Sequence, residues 1–433
     1  MAGAYFAFAS NMRPTSEVVI TGVGVVSAVG IGQAAFWSSL TGARCGISEL
    51  RRFDTSGLPF AMAAEIHDFD PKEYVRPRKS LKVMSRDIQL GVAAADLAMT
   101  HAAMGPEAFD PDRFGVVFAA DPIRADVEEA GLGYRACVEE GRFIFERWAD
   151  GAMGAANPLG MLKLLPNMLA CHVSIIHDAR AHNNTAYQGE ISGILALGEA
   201  ARVIERGHAD CMIAGGASSR LNPSDWARSS LYEELSGERD DPARACRPFD
   251  RARSGMVRGE GGAAFVLENR LHAEARGAEI LARLAGTASS SEGAANGLSR
   301  RGDGLRRAIR NTLKASNIDP EALGCVSAHG DGTRRGDALE ASVLRECVGQ
   351  TPVTAFKSYF GNLYSAAGCM EAAATVLALS AGIVPHTLGH ETRDAECDIA
   401  VIRDEPRLLR SPAALVCNRT ALGQAAAAVF VAP

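Results

Sequence analysis

The chain has 433 residues, 47% of them apolar and 22% charged, with a net charge of −6. That length holds two domains or one large duplicated core, and the balance is that of an ordinary soluble globular protein. The slight acidity argues against a general nucleic-acid or membrane-surface binder, and no stretch of about 18 residues is apolar and uncharged enough to span a bilayer.

Residues 1–17 read as a disordered or extended lead-in, because the small apolar start lacks the basic region of a signal peptide. Residues 18–26 predict a buried strand running into a glycine turn, residues 36–40 begin a helix, and residues 51–74 are irregular. Residues 87–99 predict a helix with an alanine-rich face, and residues 114–119 another core strand. Such alternation argues for a layered α/β fold. Residues 128–168 mix charges, aromatics and glycines and read as a cap excursion. Residues 233–247 are rich in charge and mark the junction between two halves, 18–246 and 247–433. In the second half the pattern repeats: a glycine turn and strand over 255–268, a helix over 305–316, strands over 324–328 and 351–356, an alanine-rich helix over 366–381, and strands over 413–417 and 427–431. The glycines of 255–262 superficially suggest a dinucleotide loop, but they run into a strand and not out of one into a helix.

The stretch around which the rest is organised is 183–193. Asn183 to Gly189 form a polar turn cluster, and an apolar periodic run through Ile191, Ile194, Leu195, Ala200, Val203 and Ile204 follows, ending at Gly207. This predicts a buried helix with Glu190 at its N-terminus, where charge is favoured and backbone N–H groups are unpaired. A residue on a tight turn into a buried helix is how many enzymes present a nucleophile; here the presented group is a carboxylate. His329 stands at a strand end on a glycine loop, and Lys357 ends another strand. The ten cysteines include no CxxC pair and many lie in apolar segments, which predicts reduced buried thiols in a cytoplasmic protein, without disulfides or a metal site.

Taken together, residues 18–30, 183–216, 247–268, 329–340 and 357–371 resemble the β-ketoacyl-acyl-carrier-protein synthases. The resemblance implies a duplicated thiolase-type five-layer αβαβα sandwich, normally a homodimer, with no cofactor of its own because phosphopantetheine arrives on the acyl carrier protein. It also implies site positions, several of them altered. Glu190 occupies the place of the nucleophilic cysteine. His329 matches the first catalytic histidine and Lys357 the active-site lysine, while Asn362 replaces the second histidine. Asp337, Glu340 and Glu371 match supporting acids. Asp331 and Thr333 fall at the pantetheine-contacting pair, with one threonine lost. Thr420 and Leu422 lie in the altered gating loop. A carboxylate is a poor acyl carrier, since its product would be a labile mixed anhydride, and one histidine of the carbonyl-polarising pair is gone. Ordinary Claisen condensation is therefore expected to be absent. Two functions follow: binding of acyl or malonyl thioesters with acid/base or decarboxylase chemistry through Glu190 and His329, or service as an inactive chain-length-factor-like partner in a heterodimer with an active ketosynthase.

Overall fold

In the computed structural model, which describes residues 17–293 and 298–433, five strands of the first half lie side by side. They are β1 (Val18–Ser27), β2 (Phe114–Ala119), β3 (Asn183–Ala186), β4 (Cys211–Ser219) and β5 (Arg258–Asn269). Their order is β3-β2-β4-β5-β1, parallel from β3 through β4 and antiparallel from β4 through β1. The second half supplies β6 (Ala282–Ser291), β7 (Leu323–Ser327), β8 (Val353–Thr354), β9 (Ala413–Arg419) and β10 (Gln424–Val431). Their order, β8-β7-β9-β10-β6, repeats that of the first half with the same parallel and antiparallel steps. Two copies of one five-stranded topology are thus present, joined where β1 meets β6 at Val19 opposite Arg283 and Ile20 opposite Ala282.

Side-chain alternation along the strands sorts the interior into stacked layers. On β1, Val18, Ile20, Val23 and Val25 face one apolar core and Val26 another; on β2, Val117 and Ala119 face the first, while Phe114, Val116 and Phe118 face the second. Helix α1 (Arg86–His101) covers the outer face of the first sheet, through Ile88, Val92, Ala95 and Met99. Helix α3 (Asp303–Ser316), with α4 (Arg334–Val348), covers the second through Leu305, Ile309, Leu313 and Leu344. Helices α2 (Ser192–Glu205) and α5 (Ala367–Ala381) fill the space between the sheets. They cross so closely at Gly193 that a Cβ there would stand 2.7 Å from the Cys369 backbone nitrogen. The layers are those of the five-layer α/β sandwich.

Three expectations need correction. The half boundary at 246/247 falls one strand early, because β5 pairs with β1 on one side and β4 on the other and so completes the first sheet. Residues 183–186, expected as part of a polar turn, form the edge strand β3: they pair with β2 on one side only, and Asn183 and Asn184 stay exposed. Strand β6, with its Ala-Gly-Thr-Ala-Ser-Ser-Ser sequence, was not anticipated at all. The cap over 128–168 contains a helix, Val127–Ala136, and a small hairpin, Val138–Glu139 against Arg142–Phe143. The lead-in expected over 1–17 lies outside the described residues except Glu17, which accepts a hydrogen bond from Arg270 at 2.5 Å. No helix among the described residues is long and apolar enough to cross a membrane.

Candidate functional site

Gly189 takes a positive φ of 61°, which turns the chain from β3 into the short 3-10 turn Gly189–Ile191 that opens α2. The Gln188 N–H donates to the Ser192 hydroxyl at 2.6 Å and fixes this elbow. Glu190 sits on it, half-buried as a residue with its carboxyl surrounded by protein. Burial, reinforced by the charges of Asp121 and Asp331 and opposed by Lys357, pushes its pKa up to about 7. A hydrogen bond from its own backbone N–H pulls against that rise, and among the described residues its carboxyl forms no ion pair.

Across from the elbow, β7 ends at Ser327 and its chain continues into the 329–333 loop. Two acids on one face of α4 hold this loop by its backbone. Glu340 accepts from the His329 and Gly330 N–H groups at 2.8 and 2.9 Å. Asp337 accepts from Phe249 at 2.7 Å, from Asp331 at 3.1 Å and from Gly332 at 3.3 Å. The Lys357 ammonium, fully buried, donates to the His329 carbonyl at 2.7 Å and to Glu371 of α5 at 2.5 Å. It also lies 3.1 Å from His329 Nδ1. Asn418 of β9 directs its Nδ2 to Glu371 at 2.6 Å and to His329 Nδ1 at 3.3 Å. His329 Nδ1 therefore faces two donors and must accept, which places the ring proton on Nε2. Nε2 looks at Asp331 Oδ2 across 3.6 Å. Burial, with the Lys357 charge added, lowers the His329 pKa to about 3, so the ring is neutral. Burial alone would raise Asp331, but His329, Arg419 and the Thr333 hydroxyl outweigh it and hold the carboxyl ionised. Glu371 is pushed up to about 7 by burial against the pull of Lys357.

The structure thus brings His329, Lys357, Asp331, Thr333, Asp337, Glu340 and Glu371 into one network. Asn362 is not part of it: its Oδ1 accepts from the Tyr364 N–H at 2.9 Å and its Nδ2 faces Met256 sulfur at 3.4 Å. No hydrogen bond joins Glu190 and His329 among the described residues. Thr420 reaches the elbow, its methyl set against Gly189, while Leu422 is 56% exposed at the turn between β9 and β10. Sequence reasoning missed three contributors. Asp121, a buried acid two residues past the end of β2, accepts from Ser365 and acts electrostatically on Glu190; an acid just beyond an apolar strand was the available signal. Asn418 and the buried Arg419 end β9 and lead into the altered gating loop that holds Thr420 and Leu422. Cys369 and Cys417 lie nearby, with sulfurs 3.5 Å from the Gly193 carbonyl and 3.7 Å from Glu340. Burial pushes both thiols far above neutrality, which leaves neither as a nucleophile. Among the described residues no cluster of His, Cys, Asp or Glu is arranged to hold a metal ion.

Residues 15–273 match the family "Beta-ketoacyl synthase, N-terminal domain", and residues 281–391 match "Beta-ketoacyl synthase, C-terminal domain". The chain belongs to the beta-ketoacyl synthase family. The gap between the two matches falls between β5 and β6, where the sheets part. A putative polyketide beta-ketoacyl synthase 1 from Streptomyces halstedii is 35% identical over 90% of this chain and 92% of its own. A 3-oxoacyl-[acyl-carrier-protein] synthase 2 from a Synechocystis strain is 30% identical over 91% of this chain and 92% of its own. Among solved structures, the ishigamide ketosynthase/chain length factor superposes with a TM-score of 0.85 at 25% identity, covering 97% of this chain and all of the other. The protein is accordingly a ketosynthase-like member of fatty-acid or polyketide-type biosynthesis.

Proposed function

We propose that this ketosynthase-like chain does not carry out ordinary Claisen condensation and serves as a chain-length-factor-like partner of a cysteine-bearing ketosynthase, on chains tethered to acyl carrier protein. The observation behind this is the direction of His329. Its one ring donor, Nε2–H, faces the Asp331 carboxylate, and Nδ1 is held by Lys357 and Asn418. The amide of Asn362 is occupied in its own loop. A thioester carbonyl would find neither donor free, and a developing oxyanion would face carboxyl groups at Asp331 and Glu190. Loss of one such donor costs about 10²–10³ in rate. The partner role extends to this chain what the ishigamide structure's name pairs together, and the carrier protein is taken from the name of the 3-oxoacyl relative. Phosphopantetheine would arrive on that carrier, and the reduced thiols fit the cytoplasm. Co-expression tests the reading: the chain is expected to co-purify with a cysteine-bearing ketosynthase and to turn over no acyl thioester alone. Exclusive self-association together with turnover would reject it.

One observation favours a second reading. Glu190 forms no ion pair among the described residues, and burial pushes its pKa up to about 7, where a general acid or base works. It would act without His329, whose basic nitrogen is occupied. Decarboxylation or hydrolysis of malonyl or acyl thioester, abolished in Glu190→Ala, would establish it.

A further inference from the structure

Arg419 ends β9 and is only 5% exposed, yet its Nε and Nη2 have no hydrogen-bond partner among the described residues. A buried guanidinium edge with two free donors matches a bidentate oxyanion. Four acids act on it electrostatically: Asp331, Glu340, Asp337 and Glu190. Three of these are already engaged. Asp331 accepts from the Thr333 N–H and hydroxyl and faces His329, while Glu340 and Asp337 accept from loop amides. Nη2 lies against Gly336 in the first turn of α4, where a Cβ would collide with it. Thr333, the N-cap of α4, turns its hydroxyl to Asp331 and does not cap the helix, so the positive end of α4 adds to the guanidinium at this spot.

We propose that Arg419 and the first turn of α4 form a receptor for a small oxyanion, a carboxylate or a phosphate, beside Glu190. The proposal does not depend on the partner role, and either can fail without the other. Glu190 tunes it. Facing Asp121, Asp331, Lys357 and Arg419, Glu190 gains its negative charge as pH rises through about 7 and then competes with the anion for the same cation.

Calorimetric titration of the full chain with malonate, inorganic phosphate and uncharged malonamide tests this. Saturable binding of one or both anions, but not of malonamide, is expected. Preference for malonate assigns the acyl-carboxylate source, and preference for phosphate the phosphate of a carrier arm. Malonate affinity should fall at least about threefold from about pH 6.5 to about pH 8.5, and that fall should vanish in Glu190→Gln. Arg419→Met should weaken binding at least about tenfold. Absence of binding by either anion, or undiminished binding in a folded Arg419→Met, overturns the proposal. Should Arg419→Met not fold, pH-independent malonate binding by the unaltered chain overturns it.

Discussion

Glu190 carries a buried carboxyl that forms no ion pair among the described residues, in a place that favours its protonated form. Its pKa is about 7 in the folded chain against 4.5 when free. The folded state therefore holds the proton more tightly, and stability is lost as pH rises from about 4.5 through about 7. Glu190→Gln removes that penalty. It should stabilise the chain at about pH 8 by no more than about 3 kcal/mol and have little effect at about pH 4; urea denaturation at the two pH values measures the difference, and equal effects would contradict the burial of this carboxyl. Lys357 poses the opposite case, because its ammonium and the Glu371 carboxyl are both fully buried and paired. Lys357→Met should cost about 3–5 kcal/mol by leaving Glu371 without its cation, with much of the loss recovered in Lys357→Met/Glu371→Gln. Urea midpoints of the two variants, compared at neutral pH, check this.

At the scale of elements, the crossing of α2 and α5 is the part most sensitive to added volume. Gly193→Ala would drive a methyl group into the α5 backbone at Cys369 and should destabilise by about 1–3 kcal/mol in denaturant titration. Both helices were legible in the sequence, because long periodic apolar runs between glycines identify buried helices. The short and small-residue strands were not. Strand β6 alternates alanine, glycine, threonine and serine, and hydrogen bonding to β10 and β1, invisible to local pattern, makes it a strand. Strand β3 sits at the sheet edge with polar residues outward, so its composition reads as a turn. The second-half start was misplaced for a related reason: the charge of 233–247 suggests a junction, yet Glu233 folds inward to pair with the buried Arg258 at 2.8 Å. At the site, His329, Asp337, Glu340, Lys357 and Glu371 were singled out through the resemblance, whose motifs are contiguous, and the fold sets their side chains in one hydrogen-bonded network. The occupation of Asn362 by Tyr364 and Met256 depends on the fold of its own loop, and no spacing rule gives it.

Across the whole molecule, one five-stranded topology is used twice, and the two copies set the elbow of the first half against the histidine loop of the second. Duplication explains why the site lies at their meeting: α2 and α5 occupy equivalent places, one delivering Glu190 and the other Glu371. In the first half the outermost strand, β3, ends the sheet, with exposed Ile175 and Tyr187 close to it in sequence. An open strand edge with apolar neighbours suits a partner subunit, in keeping with the proposed pairing. Replacing Tyr187 by aspartate should then weaken co-purification with a ketosynthase several-fold while leaving the melting temperature of the isolated chain little changed; unchanged co-purification would place the partner elsewhere. The central claim is that this centre no longer carries an acyl group. Intact-mass measurement of the chain after incubation with malonyl and acyl carrier-protein thioesters tests it most directly: the account predicts an unaltered protein mass and unconsumed malonyl thioester, whereas an acyl adduct on this chain, or loss of carbon dioxide that disappears in Glu190→Ala, would contradict it.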